Sequence, residues 1–201
     1  MSAATEQGLR ERKKAATRQA LHDAALRLAL EHGPERVTVE AIADEVGVSR
    51  RTFSNYFASK EEALFYGDQR RMRLLADRVR DRPAAEPPWT ALTEAARIFY
   101  ADLGDLDPEW IARSRLVRRH PSLAAAQVQT FAANERELGE AVAVRLKDQD
   151  RLGVRAKLLA AVFLSALRIA VNTWLEHPSE VRFWDLAGEI LDDAGRGLSQ
   201  F

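Results

Sequence analysis

The sequence predicts an all-α protein. Ala, Leu, Glu and Arg dominate it, alternating runs of Val, Ile and Thr are missing, and apolar residues recur at three- and four-residue spacing. Its 201 residues, 46% of them hydrophobic, suffice for one large domain or for a small module joined to a larger one. Gly and Pro divide the helical pattern into about nine helices. They group as a three-helix head over residues 1–58 ending in a helix-turn-helix, followed by a larger helical bundle over residues 59–201.

The first helix is expected from about Arg10 to Glu31, with Ala16, Ala20, Leu21, Ala24, Leu28 and Leu30 on its apolar side, until Gly33 and Pro34 stop it. Thr38 then reads as an N-cap, with Val37 and Ile42 placed as a hydrophobic staple, and Gly47 supplies the left-handed turn that ends the second helix. Ser49 repeats the device with Val48 and Phe53 as its staple. Ser59 does so a third time, with Glu62 completing a capping box for a helix running to about Arg82. Beyond the proline-rich stretch from Pro83 to Pro88, further helices are expected over about Trp89–Gly104, Pro108–Arg119, Ser122–Asp148, Arg151–Glu176 and Ser179–Gly197.

Composition excludes several chemistries. Thirty basic and thirty acidic side chains give a formal net charge of +0, so any attraction to a nucleic acid must come from where the charges sit. With no cysteine there can be no disulfide, thiolate zinc site or thiol redox centre, which suits a reducing cytosol. The N-terminal "MSAATEQGLRERKK" has no apolar core of a signal peptide, and the uninterrupted apolar run Leu158–Leu164 falls short of the roughly 18–20 residues that span a bilayer. A soluble, cytoplasmic protein is expected.

The stretch "GVSRRTFSNYFASKEEAL", Gly47 to Leu64, carries the strongest functional signal. On a helix starting after Ser49, Phe53, Tyr56 and Phe57 fall on one side, while Arg51, Ser54 and Asn55 fall on the other and Arg50 and Thr52 flank them. With the rings packed inward, arginine, hydroxyl and amide groups face out. A DNA major groove rewards such groups, since arginine pairs bidentately with guanine and an amide with adenine. Thr38 and Lys60 stand at or near helix N-termini, where phosphate is favoured, and the Tyr56 hydroxyl can reach past its ring. The basic start of the first helix, Arg10, Arg12, Lys13, Lys14 and Arg18, could track the DNA backbone, with Arg18 as a phosphate contact, or a minor groove. Two arginines on a short amphipathic helix can equally be a solvated face; the order capped helix, glycine turn, capped helix is what favours a reading surface.

Residues from about Arg12 to Leu64, above all "TVEAIADEVGVSRRTFSNYFASKEEAL", resemble the N-terminal domain of the TetR family of bacterial transcription regulators. The resemblance rests on a T-x-x-x-I-A helix, G-V-S, an aromatic, and Y-F-x-S-K-E-x-L opening the fourth helix. It implies a DNA-binding head, a divergent helical body for ligand binding and dimerisation, and a homodimer that reads a palindromic operator on double-stranded DNA. By motif position it implies that Arg50, Arg51 and Ser54 face bases, while Thr38, Asn55, Tyr56 and Lys60 face phosphates. Glu40 stands where some relatives carry a base-contacting basic residue, so the second helix is expected to add little direct readout. The "SRRTF" wording also resembles regulators near the mycofactocin system, some of which sense acyl-CoA esters.

In the body, a mostly apolar effector pocket is expected among Phe99, Tyr100, Leu103, Trp110, Arg113, Phe131, Asn134, Arg168 and Asn172, although core packing accounts for most of these as well. Arg168 interrupts an apolar helix, so it is expected to be buried and to pair with an acid across a dimer or with an anionic ligand group. The run Arg113, Arg115, Arg118, Arg119 reads as helix surface and dipole partner. Two-sided apolar character from Leu158 to Val171 and in the last helix suggests a dimer interface through Leu159, Val162, Phe163, Ala166, Ala170, Trp184, Ala187, Ile190 and Leu191; the alternative is a central helix of a monomer. The four histidines have no metal-ligand spacing, and neither a cofactor motif nor a nucleophile and base arrangement stands out. A ligand-released repressor is the expected function; a helical enzyme and a protein-interaction module are the rivals.

Overall fold

The structure is a computed structural model that describes residues 3–102, 108–146, 150–177 and 180–198. Nine α-helices lie among the described residues: α1 (Ala3–His32), α2 (Val39–Val46), α3 (Arg50–Ser54), α4 (Lys60–Asp81), α5 (Pro88–Asp102), α6 (Pro108–Arg119), α7 (Ala124–Leu146), α8 (Val154–Glu176) and α9 (Phe183–Leu198). A 3-10 turn, Pro121–Leu123, precedes α7. Helix α1 starts seven residues before the expected position, at Ala3 rather than Arg10. Helix α3 is shorter than the pattern suggests, because Asn55 caps it and Tyr56 closes a turn on Phe53 O at 2.8 Å. Phe57 still donates to Phe53 O at 3.0 Å, which keeps its ring on the inner side.

The chain forms two compact units, residues 1–68 with 112–128 and residues 69–111 with 129–201. The first unit therefore extends past the sequence boundary at residue 58 and takes in a second segment. Its core joins Leu21, Ala25 and Ala29 of α1 to Ile42 of α2, Phe53, Phe57, Leu64 of α4 and Leu116 of α6. Leu30, expected on the apolar side of α1, is instead 45% exposed. Within this unit Glu35, in the connection before α2, accepts hydrogen bonds from Ser122 Oγ at 2.5 Å and from His120 Nδ1 at 3.2 Å. These contacts, led by the Ser122 hydroxyl, hold the Glu35 carboxyl below its ordinary range.

The second unit buries Leu75 and Val79 of α4, Leu92 and Phe99 of α5, Leu138 and Val142 of α7, Phe163 of α8 and Leu191 of α9 in one core. The C-terminal end of α4 cannot bond its last carbonyls within the helix, and Arg145 of α7 supplies donors instead. Its Nη1 reaches Val79 O at 3.2 Å and Arg82 O at 3.0 Å, while its Nη2 reaches Pro83 O at 2.5 Å and Glu86 O at 3.2 Å. At the start of α8, where Gly153 adopts φ +66°, Asp150 accepts from the backbone N–H of Ala156 at 2.8 Å and of Arg155 at 3.2 Å. Those bonds, the Ala156 one first, lower the Asp150 pKa. Helix α8 is long and apolar enough, by length and composition only, to cross a membrane, a test that a core helix also passes. Here it packs along α9 as part of a core.

The Arg145 fork predicts a specific sensitivity. Arg145→Ala should lower the thermal midpoint by several degrees, on the order of 2 kcal/mol of lost hydrogen bonding, and Arg145→Lys should recover only part, because one ammonium lacks the planar fork. A thermal melt followed by circular dichroism measures both.

Candidate nucleic-acid interface

The interface begins with backbone caps. Thr38 Oγ1 accepts from Ala41 N at 3.1 Å and starts α2, leaving the hydroxyl hydrogen as a donor on an exposed side chain. Gly47, at φ +70°, ends α2, with Gly47 N–H on Asp44 O at 3.0 Å and Val48 N–H on Ala43 O at 2.9 Å. Two residues later Ser49 Oγ accepts from Thr52 N at 3.0 Å and starts α3. Ser59 Oγ likewise accepts from Glu62 N at 3.1 Å, and Glu62 reaches back to Ala58 N at 2.6 Å, one residue before the expected partner. Helix, tight turn and helix follow directly from these residues.

Packing then decides which face of α3 is presented. Phe53 and Phe57 are 1% and 2% exposed, so these two rings are taken into the core. Arg50, Arg51, Ser54 and Asn55 are exposed, and Tyr56 is half-buried. The expected base-facing and neighbouring residues thus share one solvent-facing surface. Arg50 Nη1 lies 3.0 Å from Glu40 Oε1, so the first residue of α3 is ion-paired to the first turn of α2. Arg51 forms no ion pair among the described residues. The sequence signal for the pair was available but unread: Glu40 follows the cap Thr38 by two residues, and the Gly47 turn folds α3 back across α2.

Two expected phosphate ligands also have partners within the chain. Arg18 donates from Nη2 to Tyr56 O at 2.8 Å, and its guanidinium carbon sits 5.4 Å from the ring centres of both Phe57 and Tyr66. It braces the end of α3 through cation–π and backbone contacts instead of standing free for a phosphate. Lys60 turns its ammonium onto Pro34 O and Val37 O, both at 2.8 Å, because those carbonyls lie beside the start of α4. Sequence spacing cannot show such long-range acceptors.

The body residues separate into three places. Phe99 and Tyr100 of α5 and Trp110 of α6 join Trp174, Phe183 and Trp184 in an aromatic cluster, with Tyr100 and Phe183 centred 5.1 Å apart. Arg168 is exposed, not buried, and lies 5.9 Å from the Phe131 ring, since its position on α8 points away from the core. Asn134 and Asn172 are half-buried, and Leu103 lies outside the described residues. Arg113, expected as helix surface or as pocket lining, is 2% exposed and ion-paired to Asp68 within the first unit. His22, 1% exposed, lies in the same unit and meets Ala63 O through Nδ1 at 2.7 Å. The expected interface residues are also divided: Phe163, Ala170, Ala187 and Leu191 have no exposed surface within the chain and Ala166 has little, so its own core occupies them. Leu159, Val162, Trp184 and Ile190 keep partial exposure, and Leu158 and Ile169, which the sequence reading passed over, are 47% and 49% exposed.

The N-terminal profile "Bacterial regulatory proteins, tetR family" matches residues 21–65, and the "MftR C-terminal domain" profile matches residues 86–199. The HTH-type transcriptional regulator TcmR of Streptomyces glaucescens is 34% identical over 173 residues, covering 83% of this chain and 76% of that protein. The chain belongs to the TetR family. TetR-family proteins are DNA-binding transcriptional regulators, not enzymes, so the exposed face of α3 belongs to a helix-turn-helix regulator. The fold is shared with SmeT, the repressor of the Stenotrophomonas maltophilia multidrug efflux pump SmeDEF, at TM-score 0.59 and 19% identity over 88% of this chain and 87% of that one. It is shared also with the Thermus thermophilus repressor FadR in complex with lauroyl-CoA, at TM-score 0.59 and 22% identity over 88% and 92% of the two chains.

The Arg18 geometry separates a brace from a phosphate ligand in this TetR-family head. Arg18→Ala should lower the thermal midpoint by a few degrees while leaving the slope of log affinity against log salt unchanged, whereas loss of a phosphate contact would reduce that slope by about one. Titrations at several salt concentrations distinguish the two.

Proposed function

We propose that this TetR-family regulator is a cytoplasmic repressor that binds a palindromic operator as a homodimer and is released by a small-molecule effector. The observation that carries the reading is the exposed Arg50, Arg51 and Ser54 surface of α3, set on a capped helix-turn-helix by two buried rings. Arg51 is the main base reader, because its fork is not committed to an acid. Thr38, Asn55 and Tyr56 contact phosphates. SmeT and NalD, which share the fold, are repressors of efflux pumps, and this supports repression over activation.

Dimerisation uses the outer side of α8 with part of α9. Leu158 and Ile169 are large apolar side chains left half exposed on α8, and Leu159 and Val162 of α8 and Trp184 and Ile190 of α9 keep partial exposure. Covering that stripe with a second copy buries apolar area and brings two reading helices together. They must sit roughly 34–36 Å apart, or a multiple of it, to meet successive major grooves.

An effector acts by binding more tightly to a conformation whose heads are mismatched to that spacing, and the difference in affinity sets the loss of operator binding. SmeT has been captured with triclosan and the Thermus FadR with lauroyl-CoA, which supports a largely apolar effector class here. The aromatic cluster of Tyr100, Trp110, Phe183 and Trp184 is the region that such a molecule would approach, with Phe131, Asn134, Arg168 and Asn172 as further pocket candidates.

Band shifts with DNA flanking the protein's own gene test the reading. Arg51→Ala should weaken specific binding about tenfold or more while scrambled DNA is bound nearly as before; equal wild-type affinity for both DNAs would sink the regulator mechanism. For the interface, Leu158→Glu with Ile169→Glu should yield a folded monomer by light scattering at micromolar concentration. A variant that stays dimeric places the contact elsewhere.

A further inference from the structure

We propose that Glu40 is a specificity-determining residue, which together with Arg50 reads one G·C base pair in each operator half-site. The inference rests on the operator-binding reading above and assigns α2 a direct role in it. Three observations carry it. Glu40 Oε1 lies 3.0 Å from Arg50 Nη1, so the carboxylate stands beside the first residue of the reading helix. Arg50 and Ser54 are one turn apart on α3, both exposed, which puts the pair on the solvent-facing surface that the operator-binding reading assigns to the groove. Finally, the side chains are 73% and 53% exposed, and an ion pair that wet contributes little to folding.

The chemistry of a G·C edge matches this pair. In the major groove guanine offers two acceptors, N7 and O6, and the paired cytosine offers a donor, its N4 amino group. A guanidinium has only donors and a carboxylate only acceptors. Arg50 therefore meets guanine while Glu40 accepts from cytosine N4, and the contact between them fixes their relative position before DNA arrives. At an A·T pair the guanidinium meets one acceptor, N7, beside the adenine N6 donor, and thymine O4, an acceptor, stands where the cytosine donor was; at a T·A pair the guanidinium again meets a single acceptor, O4. The carboxylate acts also as a filter. Where no amino group faces it, a negative charge close to the phosphates is repelled, which weakens binding to unrelated DNA.

The test selects bound sequences from a library with a randomised half-site and then titrates the preferred site and its single-base variants by fluorescence anisotropy at fixed salt. It uses the full-length wild type, Glu40→Ala, Arg50→Ala and the double variant. Wild type should prefer G·C by about tenfold at one half-site position, and Glu40→Ala should lose that preference while binding scrambled DNA more tightly. The double variant should discriminate there no worse than Arg50→Ala alone, since the two side chains work as a unit. If Glu40→Ala raises affinity for every sequence equally and keeps all base preferences, Glu40 only repels phosphates and the proposal is overturned. Should the wild type itself select no sequence, the operator-binding reading falls with it; selective wild-type binding with unchanged preferences in Glu40→Ala overturns the Glu40 assignment alone.

Discussion

The burial of Phe53 and Phe57 is the constraint on which the reading surface depends. A five-residue helix has too few internal hydrogen bonds to hold its own orientation, and α3 runs only from Arg50 to Ser54. Its direction is set by what it buries. Phe53 anchors the middle of the helix, Phe57 anchors the chain just after it, and Tyr66 and Arg18 close over the second ring. Rotating α3 to offer different side chains would expose both rings, at a cost of a few kcal/mol. The identity of the outward groups is therefore a by-product of core packing.

Electrostatics on that surface follow a different logic from the usual excess of positive charge. The chain is formally neutral, and several cations near the head are already engaged: Arg18 by rings and a carbonyl, Lys60 by two carbonyls, Arg27 by Glu45 at 2.6 Å, Arg50 by Glu40. An ion-paired cation adds less to counterion release on meeting DNA, whereas Arg10, Arg12, Lys13 and Lys14 at the start of α1 stay exposed. Selectivity is a difference of affinities, and lowering the non-specific one raises it as effectively as adding a base contact.

Local chemistry made much of the head legible from sequence. Thr38, Ser49 and Ser59 cap helices because a hydroxyl two or three residues from orphan N–H groups can do little else as well, and Gly47 takes the left-handed turn that a side chain resists. What stayed hidden were partners far apart in the chain. Lys60 finds carbonyls 26 and 23 residues away, and Arg18 finds one 38 residues away, partners that no local spacing shows. The two arginines of the body and head were exchanged for the same reason. Arg168 breaks an apolar run and looks buried, yet it occupies the outer side of α8; Arg113 lies in a basic run and looks exposed, yet Asp68 pairs with it inside the first unit. Periodicity ranks faces by their average polarity, and a single charge with a buried partner escapes that average.

The apolar character of α8 shows the same limit in a form that bears on assembly. A run greasy on two sides demands two covers, but the sequence does not say which residues belong to which. Phe163, Ala170 and, across on α9, Ala187 and Leu191 meet the chain's own core, so they answer only the first demand. Leu158 and Ile169, eleven residues or about three turns apart on one side of the helix, remain half exposed. Core packing on one side of α8 therefore leaves these two side chains over, and under the homodimer proposed above substitutions on the two sides should affect folding and assembly separately.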